Sequence, residues 1–468
     1  MTASTTPRLA LLLVLCGAVF MEGVDVSMMG VALPSIRADL GMSTGALQWV
    51  VSAYVLGYGG FVLLGGRAAD LLGRRRMFLG WMAVFTVFSG LGGIASEGWM
   101  VIVARFVTGV AAGFMAPAGL SIITTSFREG RERNRAMLIY AGVGAAGFSL
   151  GMVVGGLLTA IGWRWVFFAP VLMAGLLLIV ATRVVPRDDH LRADGGFDIA
   201  GALAITAAMS ALVYTVVRAP DVQFELTLAG LAVSAALLTA FVLIERRASA
   251  PLVRLGILRS SNLVRANTAM LLFMGAFIAF QFIAVLYLQE LRGWSPVETG
   301  LALAVLGIDA ILAPTLTPRL VERFGKLRVI AAGIAVAAVG YGLFAGIGAG
   351  WTYWQMLPSF VLVGVAFALT FGTLMIVATD GIGEAEQGLA GGLTYVSLQF
   401  GAATGLAVVT AVNVAATDGT SAAALLDGYQ TALLVPVAAV LLGLVVITTG
   451  LLRPAPAAPA APSRARAT

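Results

Sequence analysis

The chain has 468 residues, 60% of them hydrophobic and only 11% charged. A soluble domain dresses its surface with roughly 25% charged residues, so most of this surface faces something other than water, and the net charge of +6 is not a nucleic-acid signal once the charges are placed along the chain. A single cysteine, Cys16, excludes an internal disulfide and any multi-cysteine metal site, the lone His190 in a charged loop argues against histidine chemistry, and no metal or cofactor is expected.

A helix crosses the hydrocarbon core in roughly 20 apolar residues. That ruler predicts spans near 9–32, 47–66, 77–96, 99–122, 136–160 and 165–183, then 199–217 and 226–244. Six more follow near 266–289, 297–317, 328–348, 354–378, 388–412 and 429–452, about fourteen in all. The N-terminus has the look of a signal peptide, with Arg8 before an apolar run, but the run continues through Gly30 without a clear small-residue cleavage site. An uncleaved first span is the better reading. The 57 glycines suit helices that pack closely in a membrane. Past Arg453 the alanine- and proline-rich tail reads as disordered and cytoplasmic.

Basic residues cluster in alternate loops: Arg67 and Arg74 to Arg76; Arg128 to Arg135; Arg183 to Arg192; Arg246 to Arg265; Arg319 to Arg328. The opposite loops carry only Arg37, Arg164, Arg218 and Arg292. The positive-inside rule therefore puts both termini in the cytoplasm of a bacterial inner membrane.

The loop after span two runs from Gly66 through Arg67, Asp70, Gly73 and Arg74 to Arg76. The loop after span ten repeats it at one constant offset, with Arg319, Glu322, Gly325, Lys326 and Arg328. Two copies of a six-helix unit follow, at 1–185 and 263–453, with a linker at 186–262 that carries two added spans. Two repeats around a central site near the midplane is a transporter architecture.

The string from Gly66 to Arg76 resembles the signature loop of the major facilitator superfamily, and the span count is similar to its fourteen-helix drug:proton antiporter branch. The run from Asp25 to Pro34 resembles that branch's first-helix motif, with Gly30 in place of asparagine. Arg105 to Gly109 resembles the fourth-helix motif, with Thr108 in place of glutamine. Gly147, Gly151, Gly155 and Gly156 resemble the antiporter motif of helix five, with Met152 in place of proline. Trp163 to Trp165, Tyr287 to Gln289 and Gln399 to Gly401 also match strings of the branch. The implied fold is an all-α membrane bundle of two six-helix repeats plus two inserted helices.

A charge at the centre of a membrane helix costs about 2.5–3.5 kcal/mol on insertion scales, so it marks a function or a partner. Glu22 and Asp25 are three apart on span one and share a face. Two carboxylates so close repel, which favours proton uptake by one of them. Asp309, midway along span ten with no base one turn away, is a further proton or cation site. Neutral replacements at Asp25 and Asp309 are expected to relieve the insertion cost. The resemblance implies that Arg105 serves proton relay or holds a carboxylate. It also implies that Gly66, Asp70, Gly73 and Arg74, with Glu322 as the weaker copy, form a conformational latch. Gly147, Gly151, Gly155 and Gly156 need only close helix contact. Met28, Met29, Trp49, Tyr54, Tyr395 and Gln399 lie in spans that line the cavity of this fold, where methionine and aromatic surfaces suit varied apolar cations.

The expected function is a proton-coupled exporter of small organic molecules, drugs or amphipathic cations, working as a monomer by alternating access. Its partners are the substrate, protons and the lipid bilayer. The alternatives are a dedicated exporter of one natural product, conferring self-resistance, and a membrane enzyme or receptor. No nucleophile with a base, phosphate loop or soluble catalytic domain supports the last.

Overall fold

The computed structural model describes residues 5–128, 131–187, 198–219, 222–249 and 251–451, and among them there is no strand. His190 and the predicted tail lie outside the described residues. The first six helices are α1 (Thr5–Leu40), α2 (Thr44–Leu72), α3 (Arg74–Gly93), α4 (Gly98–Ser126), α5 (Arg131–Ile161) and α6 (Trp165–Val184). An inserted pair follows, α7 (Ile199–Arg218) and α8 (Phe224–Arg247). The remainder comprises α9 (Ser261–Leu286), α10 (Pro296–Leu303), α11 (Asp309–Thr315), α12 (Thr317–Phe324), α13 (Lys326–Ala345), α14 (Tyr353–Thr379), α15 (Glu384–Ala416), α16 (Ala422–Ala432) and α17 (Leu434–Leu451). Thirteen helical stretches among the described residues are long and apolar enough to cross a membrane. With α3, less apolar because it opens on three arginines, they give the fourteen predicted spans.

Local chemistry sets the helix starts. Ser43 caps α2 by accepting from the Ala46 N–H at 3.1 Å. A capping box of Ser295 and Glu298, with Pro296 in the first turn, starts α10. Gly73 and Gly325 sit between α2 and α3 and between α12 and α13, at φ 100° and 83°. Both occupy the same position of the repeated loop, and a side chain there would strain the turn.

The helix pairings also repeat. In the first half α1 lies on α5, α2 on α4, and α3 on α4 and α6. In the second, α9 lies on α15, α11 on α14, and α13 on α14 and α17. The halves meet through corresponding helices, α2 on α15 and α5 on α10. α7 lies against both α2 and α15, and α8 packs mainly on α7.

Two predicted spans are not continuous helices. Span ten breaks after Leu303 into a 3-10 turn, Ala304–Ile308, before α11 begins at Asp309. Asp309 is therefore not midway along an unbroken helix but opens a new one. The last span breaks at Leu433; Pro436, three residues on, supplies no N–H and its ring would clash with the Ala432 carbonyl. α9 runs into a π turn, Tyr287–Leu291, which turns Gln289 and Glu290 toward α1. π turns inside helices gather at functional sites.

Candidate functional site

The approach of α1 to α5 is set by glycine. A Cβ on Gly147, Gly151 or Gly155 would lie 2.5, 2.7 and 2.6 Å from Phe20 O, Val24 Cα and Met28 Cα respectively. Gly156 faces elsewhere, 2.5 Å from the Pro296 carbonyl by the same measure, so it seats α10 of the other half. In the second half Gly401 and Gly405 bring α15 equally close to the backbone of Leu271 and Gly275 on α9.

This close packing buries the polar face of α1. Asp25 is 1% exposed and Arg105 of α4 is 2% exposed, and Arg105 Nη1 donates to Asp25 Oδ2 at 2.6 Å. Arg105 Nε donates to the Val50 carbonyl at 3.3 Å. The guanidinium stands 4.3 Å above the Tyr54 ring, a cation–π contact. Asp25 Oδ1 and the Tyr54 hydroxyl are buried without a hydrogen-bond partner. Glu22, 8% exposed, lies one turn away among different groups. Tyr58 of α2, Tyr140 of α5 and Tyr395 of α15 lie within electrostatic reach of its carboxylate. The two acids share a face, but an arginine answers one and tyrosines surround the other.

The other predicted residues fall in three groups. Met28 and Met29 are fully buried in the largest apolar cluster, so here they are packing residues rather than exposed substrate contacts. Tyr54 is likewise taken up beneath Arg105. Gln399 is buried against Gly59 of α2, Trp49 is half-buried beside α7, and Tyr395 is 40% exposed. Asp309 is partly buried where α11 begins. In the predicted latch the side chain of Asp70 lies outside the described residues, Gly66 lies 3.8 Å from Pro117 by a built Cβ, and Arg74 opens α3. Glu322 is exposed on α12. The copy of Arg74, Lys326, pairs with Asp380 at 2.7 Å.

Sequence reasoning missed a tie between the halves. Arg37, near the end of α1, donates to both oxygens of Glu290 in the π turn at 2.9 and 3.0 Å. Tyr429 donates to Glu290 at 3.3 Å, and Gln289 donates to the Val31 carbonyl at 2.9 Å. Arg37 is one of few basic residues on its side of the chain, and Glu290 adjoins the Tyr287 to Gln289 string; those were the available signals. The pair is partly solvated, so its loss should weaken this closure by about 0.2–1 kcal/mol. Arg37→Gln is expected to raise labelling of a cysteine placed at Val31 by an impermeant thiol reagent, with the buried Cys16 as silent background. Unchanged labelling would count against Arg37–Glu290 as a closing contact.

Comparison with known proteins agrees with this architecture. Residues 15–406 match the family model of the Major Facilitator Superfamily. The puromycin resistance protein pur8 of Streptomyces alboniger is 34% identical over 434 residues, covering 89% of this chain and 85% of that protein. The cephamycin export protein CmcT of Amycolatopsis lactamdurans is 34% identical over 473 residues, covering 96% and 93%. Among solved structures, a mutant of the nucleoside transporter NupG superposes with a TM-score of 0.68 at 13% identity, covering 95% of this chain and 99% of that one. At that identity the likeness is one of fold. The fourteen-span bundle, the repeated signature loop and these matches together establish that the chain belongs to the Major Facilitator Superfamily, as a multi-pass membrane transporter of small molecules.

Proposed function

We propose that the protein exports small organic molecules from the cytoplasm across a bacterial inner membrane in exchange for protons. The observation that carries this reading is the buried acid cluster on α1. Asp25 is held by Arg105, and Glu22 lies one turn away beneath tyrosines contributed by both halves. Tyr395 is 40% exposed, Glu22 8% and Asp25 1%, so exposure falls across the three toward the ion pair. A proton taken up there neutralises a charge that Arg105 and Tyr58 answer, and so changes how α1 is held against α4 and α2. Asp309 is the second proton or cation site in this scheme, and the Gly66 to Arg74 loop is the latch.

The chain acts as a monomer with both termini in the cytoplasm. Its two six-helix units, 1–185 and 263–453, rock about the paired contacts of α2 with α15 and α5 with α10. The proton gradient is the energy source. The substrate would meet Trp49 and Tyr395 first, with Gln399, Met28, Met29 and Tyr54 uncovered only as the halves move.

A second reading, a dedicated exporter of one natural product, is favoured by the names of the relatives. Those names refer to single antibiotics, puromycin and cephamycin. Export from cells challenged with a panel of cationic drugs and natural antibiotics separates the two.

The coupling test uses proteoliposomes. An imposed pH gradient is expected to drive substrate accumulation by the wild type. Glu22→Gln should abolish accumulation yet keep downhill exchange, which needs the cavity to alternate but needs no proton. A Glu22→Gln protein that still builds a pH-driven gradient would remove Glu22 from the coupling path.

A further inference from the structure

A second pair of buried acids lies at the foot of the inserted hairpin, far along the chain from the α1 cluster. Asp198 precedes α7 and is 7% exposed; Glu245 ends α8 and is 4% exposed. Each uses one oxygen structurally. Asp198 Oδ1 accepts from the Gly201 N–H at 2.6 Å and caps α7. Glu245 Oε2 accepts from the Val253 N–H at 3.0 Å and so holds the segment leading into α9. The other two oxygens, Asp198 Oδ2 and Glu245 Oε1, are buried and have no hydrogen-bond partner. Both lie beside Gly201, where a built Cβ would sit 2.8 Å from each of them, so the two oxygens are at most twice that distance apart.

Two buried carboxylates this near each other repel as anions, which favours one proton between them. Among the described residues no base donates to either of them. Arg246, Arg247 and Arg254 are exposed, and Arg67 lies at the end of α2, whose Leu64 and Ala68 pack with Ala202 at this corner. We propose that Asp198 and Glu245 bind one proton between them, forming a carboxyl–carboxylate pair that pins the start of α7, the end of α8 and the entry to α9 together. The proton neutralises one of the two charges, so the closed corner holds a single anion. The arrangement is independent of the coupling cluster and does not require that reading.

Withdrawing the proton leaves two like charges in a buried corner, and the corner opens. Opening releases one proton, so its equilibrium constant should rise by up to about tenfold per pH unit until the closed pair itself titrates. Amide hydrogen exchange in the purified full-length protein reads this at Leu252 and Val253 after correction for intrinsic rates. The wild type is expected to show that slope and a protonated-carboxyl infrared band. In Asp198→Asn an amide N–H stands in for the proton, so the slope and that band should both vanish. If the variant does not fold, the wild-type slope decides alone. A pH-independent exchange rate, or a slope that persists in the variant, would overturn the proposal. So would protection restored by a sodium or calcium salt at fixed high pH, which would make this a cation site.

Discussion

Asp25→Asn is expected to destabilise the folded protein by about 3–5 kcal/mol, the usual result of removing one partner from a buried ion pair. From sequence alone the opposite is expected, because an intramembrane carboxylate with no visible partner costs insertion energy. The structure reverses the sign. Arg105 is 2% exposed, and its remaining contacts are the Val50 carbonyl at 3.3 Å and the Tyr54 ring at 4.3 Å. Neither neutralises a guanidinium stripped of its carboxylate. The double variant Asp25→Asn with Arg105→Gln is therefore expected to recover most of the loss, and a double-mutant cycle on thermal unfolding in detergent measures the coupling. A cycle that closes at zero would mean that the 2.6 Å pair carries no energy. Both variants should also fail to accumulate substrate under a pH gradient.

Gly151→Leu is expected to be the most damaging of the glycine substitutions on α5. Its Cβ alone would lie 2.0 Å from Ser27 Oγ and 2.7 Å from Val24 Cα. Backbone cannot swing aside as a side chain can, so α1 must move off α5 and carry Glu22 and Asp25 with it. Overpacking of this kind costs about 1–3 kcal/mol or more, and here it also displaces the acid cluster. Gly142→Leu on the same helix is the control, because nothing lies within 4 Å of its Cβ position. Yield and melting temperature in detergent should fall for the first and hold for the second. Equal losses would point to helix propensity or insertion rather than to the α1–α5 contact.

The spans were legible because hydropathy needs only about twenty neighbouring residues, and the repeat was legible because Gly73 and Gly325 recur at a fixed offset with their charges. Breaks were harder to read. Pro436 was visible, but the 3-10 turn at Ala304–Ile308 has no comparable marker in sequence, and it changed the setting of Asp309. Among site residues, Glu22, Asp25 and Arg105 announced themselves singly as charges in apolar helices. Their partners did not. Asp25 and Arg105 are 80 residues apart, and Arg37 and Glu290 are 253 apart. Tyr58 and Tyr140 carry no charge to mark them in sequence, and only the fold places them near Glu22. Nothing in the sequence singles out Asp198 and Glu245, because their burial leaves no trace in hydropathy.

The inserted hairpin has a consequence in parity. α7 and α8 cross and recross, so the chain returns to the side it left, and the second six-helix unit enters the bilayer with the same polarity as the first. An odd insertion would have inverted that unit and destroyed the correspondence of α2 with α10 and of α5 with α15. A two-span piece is thus the smallest membrane-crossing module that such a duplicated chain accepts between its copies. Because α8 rests mainly on α7, the module is attached along one helix. Its removal would uncover a lipid-compatible strip of α2 and α15 and leave every pairing within and between the two copies in place.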